Sequence, residues 1–361
     1  MDIDTPRRLG KSSLEVTPLG FGGGTIGATQ VDNVTGLATV DAAWDTGVRF
    51  FDTAPWYGLG RSERRLGLAL SGKCERESYR INTKVGKSLV PEPDPDESNR
   101  TYSPGGEERT PRDAITGFRV EFDYSYERIT AQHADSLQRL GHSRVDSLTI
   151  HDIDYGYHDA AQIEAHLNEL SHDGGGGAAA LESLRERGAI HAIGAGCNLE
   201  IRNADSWLTD AHEDLVERLV ATVDLDFLVV AGGYTLLETR ALRRVLPLCE
   251  ARNIGVIIAA PFASGWLVNP GATTYMYGEA PVEIADCSSR MQAICERHEV
   301  PLAAAAIQFP LAHPAVAAVI PGAKTPAEPR QNHAFLHTDI PAAVWQDFKT
   351  EGLLNADAPT P

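Results

Sequence analysis

Residues 49–67 read RFFDTAPWYGLGRSERRLG. The stretch opens as an apolar strand, breaks at Asp52 into a turn rich in proline and glycine, and continues as a helix from about residue 61. A strand that feeds directly into a helix is half of a βαβ crossover, and such crossovers join parallel strands. Working outward, the alternation recurs along the whole chain. Strand-like segments occupy 17–22, 49–54, 80–86, 145–152, 189–196, 225–232, 255–261 and 317–322. Helical stretches fall at 33–46, 61–71, 125–140, 178–188, 201–218, 236–252, 282–298 and 326–337. Eight such units in 361 residues suit an α/β chain closed into a (β/α)8 TIM barrel. A doubly wound Rossmann sheet is the alternative.

The barrel domain is expected over residues 1–351, with a disordered tail at 352–361. The opening RRLGKSSLEVTPLG suggests a hairpin that plugs the barrel before its first strand. Residues 87–123, rich in proline and charge, form a long insertion directly after the third strand, and loops of that length are commonly functional. The run SHDGGGGAAALESL (171–184) is expected to be a flexible joint before a helix.

Composition narrows the function. A net charge of −18 disfavours a nucleic-acid partner, whose phosphates would be repelled. No apolar run is long enough to span a membrane, and no leader peptide is expected at the start. The five cysteines are scattered without a CxxC pair, which fits a reducing, cytoplasmic setting and disfavours a zinc site. His151 and His158 lack a third partner in register, so no metal is expected. Only six lysines occur among 32 basic residues, so a lysine in a strand stands out.

In a (β/α)8 barrel, chemistry collects at the carboxyl ends of the strands. The second strand ends in Asp52, with Tyr57 just beyond; the third carries Lys84; the fourth ends in His151. These strands are consecutive, so their side chains are expected at one mouth. A phenol with a pKa near ~10 is a poor proton donor or acceptor at neutral pH. An adjacent ammonium favours the phenolate, and a carboxylate compensates a buried ammonium. A histidine can hold the substrate oxygen. Such a set moves a proton on or off an alcohol or carbonyl, and the accompanying hydride has to come from a cofactor.

The motifs DTAPWYGLGRSERRLG, TKVG, DSLQRLG, LTIHDID and VIPGAKTPAEPRQN, in this order and spacing, resemble those of the aldo-keto reductases over nearly the whole chain. Within that family, FDYSYERI, SLQRLG and HDID are most similar to the aldose 1-dehydrogenase branch, which acts on L-fucose and D-threo-aldoses and has relatives that oxidise L-galactose or pyridoxal. The resemblance implies that Tyr57 transfers the proton, Lys84 activates it, Asp52 partners Lys84, and His151 orients the substrate oxygen. Trp56 is expected to line the sugar pocket.

A Rossmann fingerprint is missing, because Thr25 stands where the third glycine of LGFGGGTIG would be. The resemblance places the nicotinamide near Asn198 and the adenosine end at Gly322, Lys324, Glu328, Gln331 and Asn332. A carboxylate at Glu328 repels a 2′-phosphate and favours NAD, whereas Lys324 favours NADP. The expected reaction is oxidation of an aldose at C1 to the lactone with NAD. The alternatives are a pyridoxal 4-dehydrogenase, a general aldehyde reductase, or a nicotinamide-sensing accessory subunit. Substrate choice is expected to lie in Trp56, the 87–123 insertion and the 259–267 loop with Phe262 and Trp266.

Overall fold

A computed structural model describes residues 3–73, 75–91, 117–199, 208–269, 271–272, 274–276 and 278–361. Its central sheet consists of β1 (Phe21–Gly22), β2 (Phe50–Asp52), β3 (Arg80–Val85), β4 (Ser147–Ile150), β5 (Ala192–Asn198), β6 (Phe227–Ala231), β7 (Gly255–Ala259) and β8 (Val316–Ile320). The eight strands follow one another in sequence order, every neighbouring pair parallel. Parallel bridges Leu19↔Val319 and Gly22↔Gly322 then join the first strand region to the last. Closure removes both sheet edges, so the Rossmann alternative does not describe the molecule.

The expected hairpin is present, Arg7–Arg8 pairing antiparallel with Glu15–Val16. Its Leu9, Leu14 and Val16 are buried with Phe50, Phe227, Val229 and Ile257, forming an apolar floor inside the barrel. Gly10 at the hairpin tip has φ +59°, and a Cβ there would lie 2.1 Å from the Asp226 carbonyl oxygen. Only glycine permits that approach.

The helices lie outside the strands, near their expected positions, with two differences. Helix is found at Ala211–Thr222, and residues 201–207 of the expected 201–218 stretch fall outside the described residues. The 236–252 stretch is split into a 3-10 turn at Arg240–Leu242 and a helix at Val245–Arg252. Helices Ala160–Leu170, Leu302–Gln308 and Ala342–Thr350 were not expected from the sequence.

Two expectations of looseness give way to packing. The glycine run is a tight corner: a Cβ on Gly174 would meet the Asn168 oxygen at 2.0 Å, and one on Gly177 the Tyr124 oxygen at 1.9 Å. These glycines serve close backbone approach instead of flexibility. The 352–361 tail, expected to be disordered, folds back on the body, with Leu354 and Ala358 buried and Lys349 Nζ donating to the Ala358 carbonyl at 2.8 Å. The 87–123 insertion starts and ends as an antiparallel ribbon, Lys87–Pro91 against Phe118–Phe122; its middle, 92–116, lies outside the described residues.

Candidate active site

The turn after β2 is fastened from several sides. Ser62 Oγ donates to the Gly23 carbonyl at 2.7 Å and lies 2.8 Å from Thr53 Oγ1. Arg65 donates to the Ile26 carbonyl and, at 2.9 Å, to Asn33. Glu63 is fully buried, accepting from Thr83 Oγ1 at 2.8 Å and from Arg139 Nε at 2.5 Å. The SERRLG segment is therefore a clasp that holds the turn carrying Tyr57 against β1 and β3. Gly58, at φ +65°, would drive a Cβ to 1.9 Å from the Gly27 oxygen.

Asp52 and Lys84 meet as expected. Lys84 Nζ donates to Asp52 Oδ1 and Oδ2 at 2.8 and 2.7 Å and to the Thr53 carbonyl at 2.9 Å. Those three bonds use all three ammonium protons. Asn82, opposite Asp52 in the ladder, donates to Asp52 Oδ1 at 2.7 Å and accepts from Ser147 and Thr149 hydroxyls at 2.8 and 3.1 Å. Sequence reasoning passed over Asn82. The signal was there in RINTKV, where Asn82 and Lys84 fall two apart and so share one face of the strand.

The Lys84 ammonium sits 4.7 Å from the centroid of the Tyr57 ring. The His151 ring lies edge-on to the same ring, with centroids 5.8 Å apart. The structure thus brings all four expected residues together at the carboxyl ends of β2, β3 and β4. The acidity of the phenol differs from the sequence expectation. Burial raises the Tyr57 pKa well above the ordinary tyrosine value, and the Asp52 and Asp152 carboxylates push it further up. The Lys84 ammonium is paired with the Asp52 carboxylate, and the resting Tyr57 is a protonated phenol. Burial also pushes the His151 pKa well below the usual histidine range, with Asp152 opposing and Lys87 and Lys84 assisting. The imidazole is neutral.

A second buried polar group adjoins the first. Lys87 Nζ donates to Asp152 Oδ2 at 2.6 Å, and Asn198 Nδ2 donates to Asp152 Oδ1 and Asp154 Oδ2 at 3.0 and 2.7 Å. Burial and the neighbouring Asp152 charge raise Asp154 to about 7. Asn198 is therefore tied into this carboxylate pair through its amide protons. Lys87, Asp152 and Asp154 were missed, although HDID spaces its two aspartates at a strand period. Trp56 and Tyr157 stand over the Lys87 ammonium, at 4.8 and 3.7 Å from ring centroids. Of the aromatic residues in the 259–267 loop, Trp266 is buried and donates to the Thr274 carbonyl at 3.1 Å, a packing role, while Phe262 is only partly buried.

Beyond β8, Gly322 bridges back to Gly22 and Thr25 Oγ1 donates to the Ala323 carbonyl at 2.6 Å. Glu328, in the first turn of the helix Ala327–Leu336, reaches back to accept from the Lys324 backbone N–H at 2.8 Å and from Thr325 Oγ1 at 3.2 Å. Gln331 is exposed, and Asn332 is buried. A cleft of about 710 Å³ lined by Arg7, Arg8, Asn253 and His313 opens at the floor, away from all of these groups.

A profile described as the aldo/keto reductase family matches residues 18–350. The chain belongs to the aldo/keto reductase family. The chain is 38% identical over 359 residues to a pyridoxal 4-dehydrogenase of Microbacterium luteolum, covering 97% of this chain and 98% of that one. It is 36% identical over 355 residues to a D-threo-aldose 1-dehydrogenase of a Pseudomonas species, covering 97% of each. Among solved structures, an aldo-keto reductase of Bacillus halodurans in its holo form superposes with a TM-score of 0.69 at 22% identity over 98% of each chain, a likeness of fold. This aldo-keto reductase is an oxidoreductase of the aldose dehydrogenase branch, and the family works with nicotinamide nucleotides. The set Tyr57, Lys84 and His151 is chemically compatible with such a cofactor, since its groups can exchange a proton and it contains no hydride source.

Proposed function

We propose that the protein oxidises a cyclic aldose such as L-fucose at C1 to the lactone, with Tyr57 taking the C1 hydroxyl proton and NAD accepting the hydride. The observation that carries this reading is the Lys84 ammonium, chelated by Asp52 and seated on the Tyr57 ring beside a neutral His151. Asp52, with Asn82 behind it, holds Lys84 in place. His151 holds the hydroxyl against the phenol. Because the phenol rests protonated, oxidation runs through its ionised fraction, and the rate climbs with pH. Reduction of a carbonyl uses the protonated form directly.

Gly322, Lys324, Gln331 and Asn332 would hold the adenosine end of the dinucleotide. Glu328 keeps a negative charge at that helix start, which disfavours a 2′-phosphate and supports NAD over NADP. With the Asn198 amide protons turned to the two aspartates, any contact of Asn198 with the nicotinamide would fall to its carbonyl oxygen.

The 38% identical relative supports a second reading, pyridoxal oxidation. Pyridoxal closes on its own hydroxymethyl group to a cyclic hemiacetal, so the bonds changed are those changed at a sugar C1. Trp56 and Tyr157 can face either ring. The test is a screen for reduced nicotinamide with L-fucose, other aldoses, pyridoxal and simple aldehydes, each with NAD and NADP. Turnover of L-fucose or another aldose with NAD supports the proposal, and turnover of pyridoxal alone supports the second reading. Turnover of simple aldehydes alone, or a clear advantage for NADP, defeats it.

A further inference from the structure

The segments FDYSYERI and HDID, which the reaction as drawn uses only through His151, meet behind the active site. Strand β4 leaves its ladder at the histidine. The His151 N–H still donates to the Val85 carbonyl of β3 at 2.9 Å. Asp152 then follows at φ +49°, a left-handed value that is unusual for a residue other than glycine and persists where surrounding contacts enforce it. The His151 carbonyl accepts from the Tyr124 hydroxyl at 2.6 Å, and Tyr124 is fully buried. One hydroxyl therefore secures the peptide that has His151 on one side and Asp152 on the other. The histidine ring meets the Tyr57 ring, centroids 5.8 Å apart, and the aspartate accepts from Lys87 Nζ and Asn198 Nδ2 at 2.6 and 3.0 Å. Tyr124 is itself braced. Its N–H donates to Glu169 Oε2 at 3.1 Å, and the neighbouring Asp123 N–H donates to the Gly86 carbonyl at 3.0 Å. Its ring lies across Gly86, where φ is +104° and a Cβ would stand 2.0 Å from the ring. Gly86 in turn donates its N–H to Gln132 Oε1 at 2.8 Å. The phenol thus leans on the end of β3 and reaches to the end of β4, the two strands that supply Lys84 and His151.

We propose that Tyr124 is a positioning residue for the reaction: its hydroxyl fixes the turned His151–Asp152 peptide and so holds the His151 ring against Tyr57. The inference rests on reading His151 as the group that orients the substrate oxygen. A left-handed aspartate relaxes unless its surroundings outweigh the strain, and a buried carbonyl that loses its donor is costly to leave unpaired. Either relaxation rotates the peptide and carries the imidazole with it. A shift of about 1 Å in a group that places the substrate is enough to cost about 100-fold in rate. Burial, reinforced by the Asp152, Asp154 and Glu169 charges, holds the Tyr124 pKa well above the ordinary tyrosine value, so the hydroxyl keeps its proton and remains a donor.

The test is Tyr124→Phe, which deletes one oxygen and leaves the ring over Gly86. With the substrate that the screen identifies, kcat should fall by about 10-fold or more, while KM for the nicotinamide nucleotide holds. Val344→Ala, a truncation of a buried side chain on the helix Ala342–Thr350, is the control: it also lowers the melting midpoint but should keep kcat. In a His151→Gln background the Tyr124→Phe step should cost less than about twofold, because two residues that act as one unit are not additive. Backbone NMR of the intact, substrate-free protein should show the His151 and Asp152 signals shifted or doubled in Tyr124→Phe, with those of Val344 in place. A lowered melting midpoint with unchanged kcat, an undiminished penalty in the His151→Gln background, or unmoved His151 and Asp152 signals would each overturn the proposal. The NMR signals need no substrate, so they stand or fall apart from the substrate screen.

Discussion

The two ends of the barrel are built on opposite principles. At the floor, Leu9, Leu14 and Val16 of the hairpin meet Phe50, Phe227, Val229 and Ile257, and the space is filled with hydrocarbon. At the mouth, the equivalent interior holds Asp52, Asn82, Lys84, Lys87, His151 and Asp152, all buried. Packed hydrocarbon stabilises the fold by about 1.5–3 kcal/mol per large side chain. Buried ion pairs are close to neutral at best, because desolvation offsets their attraction. The difference teaches that net stabilisation comes from one end of the cylinder and reactivity from the other, so a floor substitution should spare the chemistry, whereas a mouth substitution reaches stability only by stranding a buried charge.

The sharpest way to break that contrast is Tyr57→Phe. Steady-state oxidation should fall by about 10²–10⁴-fold, the usual worth of a general acid or base, while the thermal midpoint stays near wild type. A variant that kept its rate would remove the mouth's chemical role. Lys84→Met should reduce both properties, since it strands Asp52 beneath the phenol. A loss of about 3–5 kcal/mol in denaturant unfolding is expected for one partner of a buried pair. Leu9→Ala tests the other end. It should cost about 2–5 kcal/mol of stability and leave kcat per folded molecule unchanged; a selective loss of kcat would show the ends to be coupled.

A smaller, pH-dependent effect sharpens the comparison within the mouth. Asp154, raised to about 7 from an ordinary 3.8, binds a proton in the folded state that the unfolded chain has already released. Its contribution to stability is therefore full below the unfolded value and is lost as pH rises through the folded one. Asp154→Asn should gain stability relative to wild type at pH values above about 7 and little at pH values near 4, as thermal melts at the two pH values would report. A difference of the opposite sign would mean that Asp154 is ionised and satisfied throughout.

Much of this was legible because periodicity and chemistry coincide in short segments. The strand–turn–helix of 49–67 and its repeats are local patterns, and a rare lysine in β3 is conspicuous. Asn82 and Asp152 were harder to find, since their meaning lies in partners on other strands: Asn82 matters through Asp52 and the β4 hydroxyls, Asp152 through Lys87 on the ribbon. The glycine run was misjudged because composition reports how freely a chain could move, whereas Asn168 and Tyr124, distant in sequence or on another element, decide how closely it packs. The acidity of Tyr57 depends on burial and on the carboxylates of Asp52 and Asp152, which needs distances.

The seam of the barrel has a consequence for how the chain is made. Leu19 and Val319 bridge across about 300 positions of sequence, so the first strand emerges from the ribosome long before its neighbour exists. Until β8 is released, β1 and β7 present unpaired backbone of the kind that recruits strands from other chains. Contacts of such sequence separation also form slowly. A nascent chain stalled short of residue 316 should therefore depend on chaperones or clump with its siblings.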